Sequence, residues 1–317
     1  MTHVLRVGPL MPQLAKALED RHQAVSLDDL TQQSWTALRA QSEHLDSLTV
    51  AVTSGRTGVP TWLMDRLPGL RAVVNFGVGY DATDVTAAAQ RGITVANTPG
   101  VLTECVADTA VGLVIAALRR LPTADRFVRT GRWSAGEGFP LTTKVSGKRF
   151  GILGLGRIGR AAAARLEGFS TTIGYHNRRQ RGDVPYTYYP TPEALAEASD
   201  VLLVTASGGP ATQALVNRPV LRALGPSGFL INVGRGSIVD EEALVSVLEA
   251  GELAGAGLDT FTQEPTVPEA LLGRDDVVLL PHLASGTDET RSAMSELVLQ
   301  NIDQFLATGH LLTPVTP

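Results

Sequence analysis

The single cysteine, Cys105, excludes an intrachain disulfide, and no CxxC pair or Cys/His cluster marks a structural metal site, so none is expected. A reducing compartment fits that scarcity. Basic residues are not in excess either. The 27 Lys+Arg stand against 32 Asp+Glu, a net charge of −5, which gives no reason to expect nucleic acid or an acidic membrane as a partner. Long apolar runs are also missing: AVGLVIAAL, from Ala110 to Leu118, is well short of the roughly 20 residues a membrane span needs. The opening MTHVLRVGPL lacks the basic start, apolar core and cleavage site of a secretory signal, so a cytoplasmic location is expected. There is no low-complexity tract and no short-period repeat.

What is present is an ordinary globular composition, 44% hydrophobic and 19% charged, over 317 residues, a length that suggests about two domains. Short β-rich stretches alternate with helical ones: HVLRV, PQLAKALEDR, LTVAVTS, the segment from Trp62 to Leu67, LRAVVNF and GITVANT. A second such series runs from KRFGILGLG to DVVLLPHLAS. Alternation of this kind points to parallel βαβ units, and strands such as VLLVTA and FLINV are apolar throughout, as when helices cover both sheet faces. Between the series, TECVADTAVGLVIAALRR reads as one long helix with an acidic first turn and a basic end. TDETRSAMSELVLQNIDQFLATG reads as a terminal helix closed by Gly309.

The stretch FGILGLGRIGR places Gly154, Gly156 and Gly159 at GxGxxG spacing between an apolar strand and the helix RIGRAAAARLEG. GxGxxG alone is a weak signal, but that setting is the one a dinucleotide fingerprint requires. Gly154 would permit the turn, Gly156 would let the backbone approach a pyrophosphate, and Gly159 would allow close helix packing, with the helix N-terminus facing the anion. The plainer alternative is a tight turn in a helix-packed sheet. About 20 residues on, where an acid would bind a free ribose, stands HNRRQR. Arg178, Arg179 and Arg181 put positive charge there, which favours a 2′-phosphate and hence NADPH over NADH, unless the segment is merely a solvated basic loop. Arg157, Ile158 and Asn177 in these two loops, with Val233 in INVGRG, complete the candidate cofactor-binding set.

Three further side chains follow strands of the second series: Arg235 in INVGRGSIVDEEAL, Glu264 in GLDTFTQEP and His282 in LLPHLASGT. Ligands of open α/β sheets bind outside the carboxyl ends of the strands, so the three can meet in one crevice. Each has a dull explanation alone: a surface arginine, a turn residue before Pro265, a half-buried histidine. As a set they match reduction of a 2-oxo acid. Arginine holds a carboxylate bidentately and stays charged; imidazole titrates near neutrality and can act as the acid; a neighbouring carboxylate favours its charged form.

These residues, with NFGVGYDATD, NTPGVLTECVADTAVGL, GKRFGILGLGRIG and PHLASGT in order and spacing across nearly the whole chain, resemble the D-isomer-specific 2-hydroxyacid dehydrogenases, in particular their glyoxylate/hydroxypyruvate reductase branch. The resemblance implies two doubly wound parallel-sheet α/β domains. Residues 1–100 with 286–317 would form a discontinuous flavodoxin-like substrate domain, and 101–285 a Rossmann-type nucleotide domain. It implies catalytic roles for Arg235, Glu264 and His282, a substrate-carboxylate loop at Val78 and Gly79, and nicotinamide contacts from Asp259 and Thr103. Thr103 is equally suited to capping the long helix, and that reading is preferred here. It further implies a homodimer. Cys105 stands where many relatives carry Glu and reads as a helix-face residue rather than a reactive thiol. Trp133, in TGRW, lies in a loop that the resemblance puts near the family's dimer contact, and it reads as a packing residue ahead of a substrate contact.

The same resemblance leaves competitors. A corepressor of this fold senses dinucleotide and binds peptides. Phosphite dehydrogenases share the whole trio, whereas formate dehydrogenases carry Gln in place of Glu264. Phosphoglycerate dehydrogenase is disfavoured by the missing acid after the second strand. Glyoxylate and hydroxypyruvate are the default substrates, with arylpyruvates and 2-ketogluconate open. The pocket would be drawn from loops around Leu10, Ser54 to Gly58, Val78 and Phe139.

Overall fold

The computed structural model describes residues 3–41 and 45–316. The chain divides into two compact units, Met1–Leu102 with Thr287–Pro317, and Thr103–Gly286.

In the first unit β1 (Val4–Val7), β2 (Val25–Leu27), β3 (Val50–Ser54), β4 (Ala72–Phe76) and β5 (Thr94–Ala96) form one wholly parallel sheet in the order β2-β1-β3-β4-β5. That is the flavodoxin-like order, with its reversal between β1 and β3. The helices between these strands are α1 (Pro12–His22), α2 (Gln32–Gln41), α3 (Thr61–Arg66) and α4 (Val85–Gln90). Every residue of β4 is buried, as a central parallel strand covered on both faces must be. Leu5, Val7, Leu63, Val73 and Trp35 share the core on one face. The last helix of the chain, Asp288–Thr308, joins this unit. Its first turn is capped by Thr287, whose hydroxyl accepts the Thr290 N–H at 3.2 Å, and it stops at Gly309 in the left-handed conformation.

The second unit opens with α5 (Thr103–Arg119) and α6 (Leu121–Arg129). Its sheet comprises β6 (Arg149–Leu153), β7 (Thr172–His176), β8 (Thr187–Tyr188), β9 (Val201–Val204), β10 (Phe229–Asn232), β11 (Gly255–Leu258) and β12 (Val277–Leu279). All seven are parallel, in the order β12-β11-β10-β9-β6-β7-β8, the Rossmann arrangement reversing beside β6. The connecting helices are α7 (Arg157–Glu167), α8 (Pro192–Glu197), α9 (Arg218–Leu224), α10 (Glu241–Glu249) and α11 (Glu269–Leu272). Small residues let α5 lie close: a side chain added at Gly257 of β11 would fall 2.7 Å from Leu113. Arg165 of α7 then bridges Glu104 and Asp108 of α5 at 2.7 and 2.6 Å. Thr103 is the first helical residue of α5, and among the described residues its hydroxyl makes no capping bond. The preferred capping reading of Thr103 is therefore corrected, because the helix begins at that residue instead of one position after it.

No helix among the described residues is long and apolar enough to cross a membrane. No group of His, Cys, Asp or Glu among them could hold a metal ion.

Candidate active site

The three glycines after β6 are needed for three different reasons. Gly154 has φ +102°, and a Cβ there would lie 2.5 Å from the backbone of Ala206 beyond β9. At Gly159 a Cβ would meet the Gly154 carbonyl at 2.5 Å and Thr205 Oγ1 at 2.9 Å, so only glycine lets α7 lie this near the sheet. Gly156 precedes α7, is exposed, and has nothing within 4 Å of where a Cβ would be. The chain therefore makes no internal use of its missing side chain, as expected where a ligand's backbone approach is the reason for glycine.

The basic turn after β7 is tied to that loop. Asn177 Oδ1 accepts the Leu155 N–H at 2.7 Å, and the Gly154 N–H donates to the His176 carbonyl at 3.0 Å. Arg178 and Arg179 are exposed on the turn, Arg157 is exposed at the start of α7, and Ile158 is half-buried behind it. Arg181 and Arg160 both reach Asp183, at 3.1 and 2.6 Å, and hold its carboxyl well below the usual carboxylate range.

At the carboxyl end of β10, Asn232 organises the loop bearing Arg235. Its Oδ1 accepts the Gly234 N–H and its Nδ2 donates to the Arg235 carbonyl, both at 3.0 Å. Val233 is buried, its N–H on the Val204 carbonyl. Gly236 lets this loop press on the next one: a Cβ there would fall 1.9 Å from the Phe261 carbonyl carbon. The Arg235 guanidinium is half-buried and donates to the Gly234 carbonyl at 2.9 Å.

Glu264 and His282 are joined. His282 Nδ1 lies 2.7 Å from Glu264 Oε2 and 2.9 Å from Oε1, and Oε1 also accepts the Phe261 N–H at 3.2 Å. A carboxylate only accepts, so Nδ1 carries a proton and Nε2 is the atom left to face a substrate. His282 sits at φ +53°, a left-handed backbone that costs an L-residue roughly 1–2 kcal/mol. The residues after it hold it there. Both oxygens of Asp259 accept backbone N–H groups, from Leu283 at 2.7 Å and Ala284 at 3.0 Å. The Ala284 carbonyl in turn accepts from Cys105 Sγ at 3.1 Å and Thr109 Oγ1 at 3.3 Å. Asp259 is fully buried, and that burial pushes its carboxyl up despite the two bonds. Thr109 and the clamp made by Asp259 were not legible beforehand, since each is defined by partners distant in sequence, whereas the side chain of Asn232 bonds within its own loop. Cys105 does lie on the helix face, with its thiol used as a donor.

In the first unit, Asn75 Nδ2 donates to the Gly79 carbonyl at 2.7 Å and the Gly77 carbonyl at 3.2 Å, while Asn97 Nδ2 donates to the Val78 carbonyl at 2.8 Å. The carbonyls of the Val78–Gly79 loop are thus turned towards their own unit. Trp133 is 67% exposed, so it is not packed into a core among the described residues. Phe139 instead packs edge-on against Phe127, with centroids 5.3 Å apart.

Residues 111–284 match the model of the D-isomer specific 2-hydroxyacid dehydrogenase, NAD binding domain. The chain belongs to this family. It is 46% identical to a glyoxylate/hydroxypyruvate reductase A of Arabidopsis thaliana, over 98% of both chains, and 45% identical to a hydroxyphenylpyruvate reductase of Plectranthus scutellarioides, again over 98% of both. Among solved structures, an NADPH-dependent glyoxylate/hydroxypyruvate reductase of Sinorhizobium meliloti, in complex with NADP and malonate, superimposes with a TM-score of 0.92 at 46% identity, covering 99% of this chain and 97% of that one. As a 2-hydroxyacid dehydrogenase family member, the chain is an NAD(P)-dependent oxidoreductase.

Proposed function

We propose that this protein reduces small 2-oxo acids to D-2-hydroxy acids with a preference for NADPH, glyoxylate and hydroxypyruvate being the default substrates. The observation that carries this reading is the His282–Glu264 pair, at the carboxyl end of the same parallel sheet whose β6–α7 turn is the glycine loop. The names of the relatives support the 2-oxo acid, and the exposed Arg178 and Arg179 support NADPH.

The second unit would be the nucleotide domain and the first the substrate domain. The residues present fit a dinucleotide, because Gly156 leaves open space at the N-terminus of α7 and the basic turn is tied to the same loop. Gly154, Gly156, Arg157, Ile158 and Gly159 would hold the pyrophosphate, Asn177, Arg178 and Arg179 the ribose end, and Thr103, Val233 and Asp259 would flank the nicotinamide. When bound, the reduced nicotinamide supplies a hydride for C2 of the oxo acid.

The chain's own residues do the rest. Arg235 binds the substrate carboxylate and polarises the carbonyl. In the first unit, the backbone at Val78 and Gly79 would be a substrate-carboxylate loop. His282, oriented by Glu264, donates the Nε2 proton to the developing alkoxide. Four large apolar side chains exposed within residues 121–141, Leu121, Val128, Trp133 and Leu141, support a homodimer in which a second copy covers them. The lone cysteine supports a cytoplasmic location.

The test follows NADPH and NADH oxidation against glyoxylate, hydroxypyruvate, 2-ketogluconate and 4-hydroxyphenylpyruvate, with phosphite plus oxidised cofactor as a control. Turnover of an oxo acid with NADPH well above NADH is expected. Efficient NADH use would remove the role given to Arg178 and Arg179, and turnover of phosphite alone would replace the reaction.

A further inference from the structure

The turn displaying Arg178 and Arg179 is fastened at both ends. At its start Asn177 is held through its side chain by the Leu155 N–H at 2.7 Å, and through its carbonyl by the Tyr188 hydroxyl at 3.4 Å. At its end the hydroxyl of Tyr175 accepts the N–H of Arg181 at 2.8 Å and donates to the carbonyl of that same residue at 3.1 Å. Tyr175 lies in β7 with no exposed surface, and a buried phenol needs a partner. Here both of its hydrogen-bonding capacities are used on one backbone position of an exposed loop. The Arg181 side chain is held as well, by Asp183, which Arg160 of α7 also grips. Arg178, Arg179 and Gln180, all exposed, are left spanning two anchored points.

We propose that Tyr175 is a positioning residue for cofactor choice: by tying residue 181 back to β7, it holds the Arg178–Arg179 turn ready for a 2′-phosphate. This rests on the reading that these two arginines meet that phosphate. A turn ordered before binding spares the ligand the cost of ordering it. Without the Tyr175 hydroxyl, the N–H and carbonyl of exposed Arg181 pass to water, so the fold persists while the turn loosens. Only ligands that use the turn then bind less well.

The experiment measures calorimetric binding of adenosine 2′,5′-bisphosphate and of 5′-AMP, which lacks the 2′-phosphate, to the full chain. The variants are Tyr175→Phe, Gln180→Gly and the double variant Arg178→Ala/Arg179→Ala, with KM for NADPH and NADH and kcat measured in parallel. Wild type should prefer the bisphosphate, and the double variant should lose that preference. Tyr175→Phe should weaken the bisphosphate by roughly fivefold, with 5′-AMP, KM for NADH and kcat unchanged. Gln180→Gly adds backbone freedom between the anchors without touching the core and should shift the same ratio in the same direction. If the double variant loses the preference while Tyr175→Phe and Gln180→Gly keep the wild-type ratio, the role of Tyr175 is overturned and the arginine reading stands. Should Tyr175→Phe fail to fold, Gln180→Gly decides between those outcomes. If the double variant keeps the preference, the arginine reading falls and takes this one with it.

Discussion

His282 Nδ1 lies 2.7 Å from Glu264 Oε2, and the histidine making this contact has a left-handed backbone at φ +53°. The pair orients one ring nitrogen and leaves the other for chemistry. The carboxylate fixes the ring through Nδ1, so replacing it by an isosteric amide loosens that hold while keeping the shape. In Glu264→Gln the kcat of oxo-acid reduction should fall by roughly tenfold or more, with folding and KM for NADPH unchanged. Steady-state kinetics beside circular dichroism check this, and an unchanged kcat would separate Glu264 from the acid step.

Asp259 makes a stability prediction with a definite sign. Burial raises its carboxyl in the folded state. Between the ordinary carboxylate value and that raised value, the folded protein holds a proton that the unfolded chain has released. Stability contributed at Asp259 is therefore greatest at low pH and falls as pH rises through this window. Asp259→Asn should abolish that component of the pH dependence. It should also lower stability at neutral pH by about 1–3 kcal/mol, because an amide cannot accept both the Leu283 and Ala284 N–H groups. Denaturant titrations across pH read both effects.

Two glycines of one loop should behave oppositely. Gly159→Ala forces a Cβ to within 2.5 Å of the Gly154 carbonyl and should destabilise the fold by roughly 1–3 kcal/mol. Gly156→Ala meets no protein atom and should leave the melting temperature unchanged while raising KM for the cofactor. Thermal unfolding beside cofactor kinetics distinguishes them. Equal effects on both quantities would mean that the loop's glycines serve only the fold.

The exposed side chains of Trp133 and Leu141 give an association test. Trp133→Glu with Leu141→Glu should shift the protein towards monomer in sedimentation velocity, since two charges would be buried unpaired at the proposed contact. An unchanged sedimentation coefficient would remove these residues from any interface.

What could be read in advance is what local spacing encodes. GxGxxG between an apolar strand and a helix, apolar runs such as VLLVTA, and the positions of Arg235, Glu264 and His282 after strands are all patterns within a few residues. The two-residue β8 was not legible, because Thr187–Tyr188 is too short to show a period and pairs only through β7. Neither were β2 and α9, whose short segments carry little alternation. The Asp259–Ala284–Cys105 chain is defined by hydrogen bonds across long sequence separations, and no local pattern announces it. Thr103 was misread by one position at a helix start. Trp133 carries the apolar area of a packing residue, yet nothing local says whether its partner lies in the same chain.

The mechanism stands on His282 as the acid in NADPH-dependent oxo-acid reduction. The direct measurement is turnover of hydroxypyruvate with saturating NADPH by wild type and by His282→Ala, with circular dichroism and cofactor binding measured on both. The variant should fold, bind cofactor normally and lose roughly 10²–10⁴-fold in kcat. Full turnover in that variant would exclude His282 as the acid.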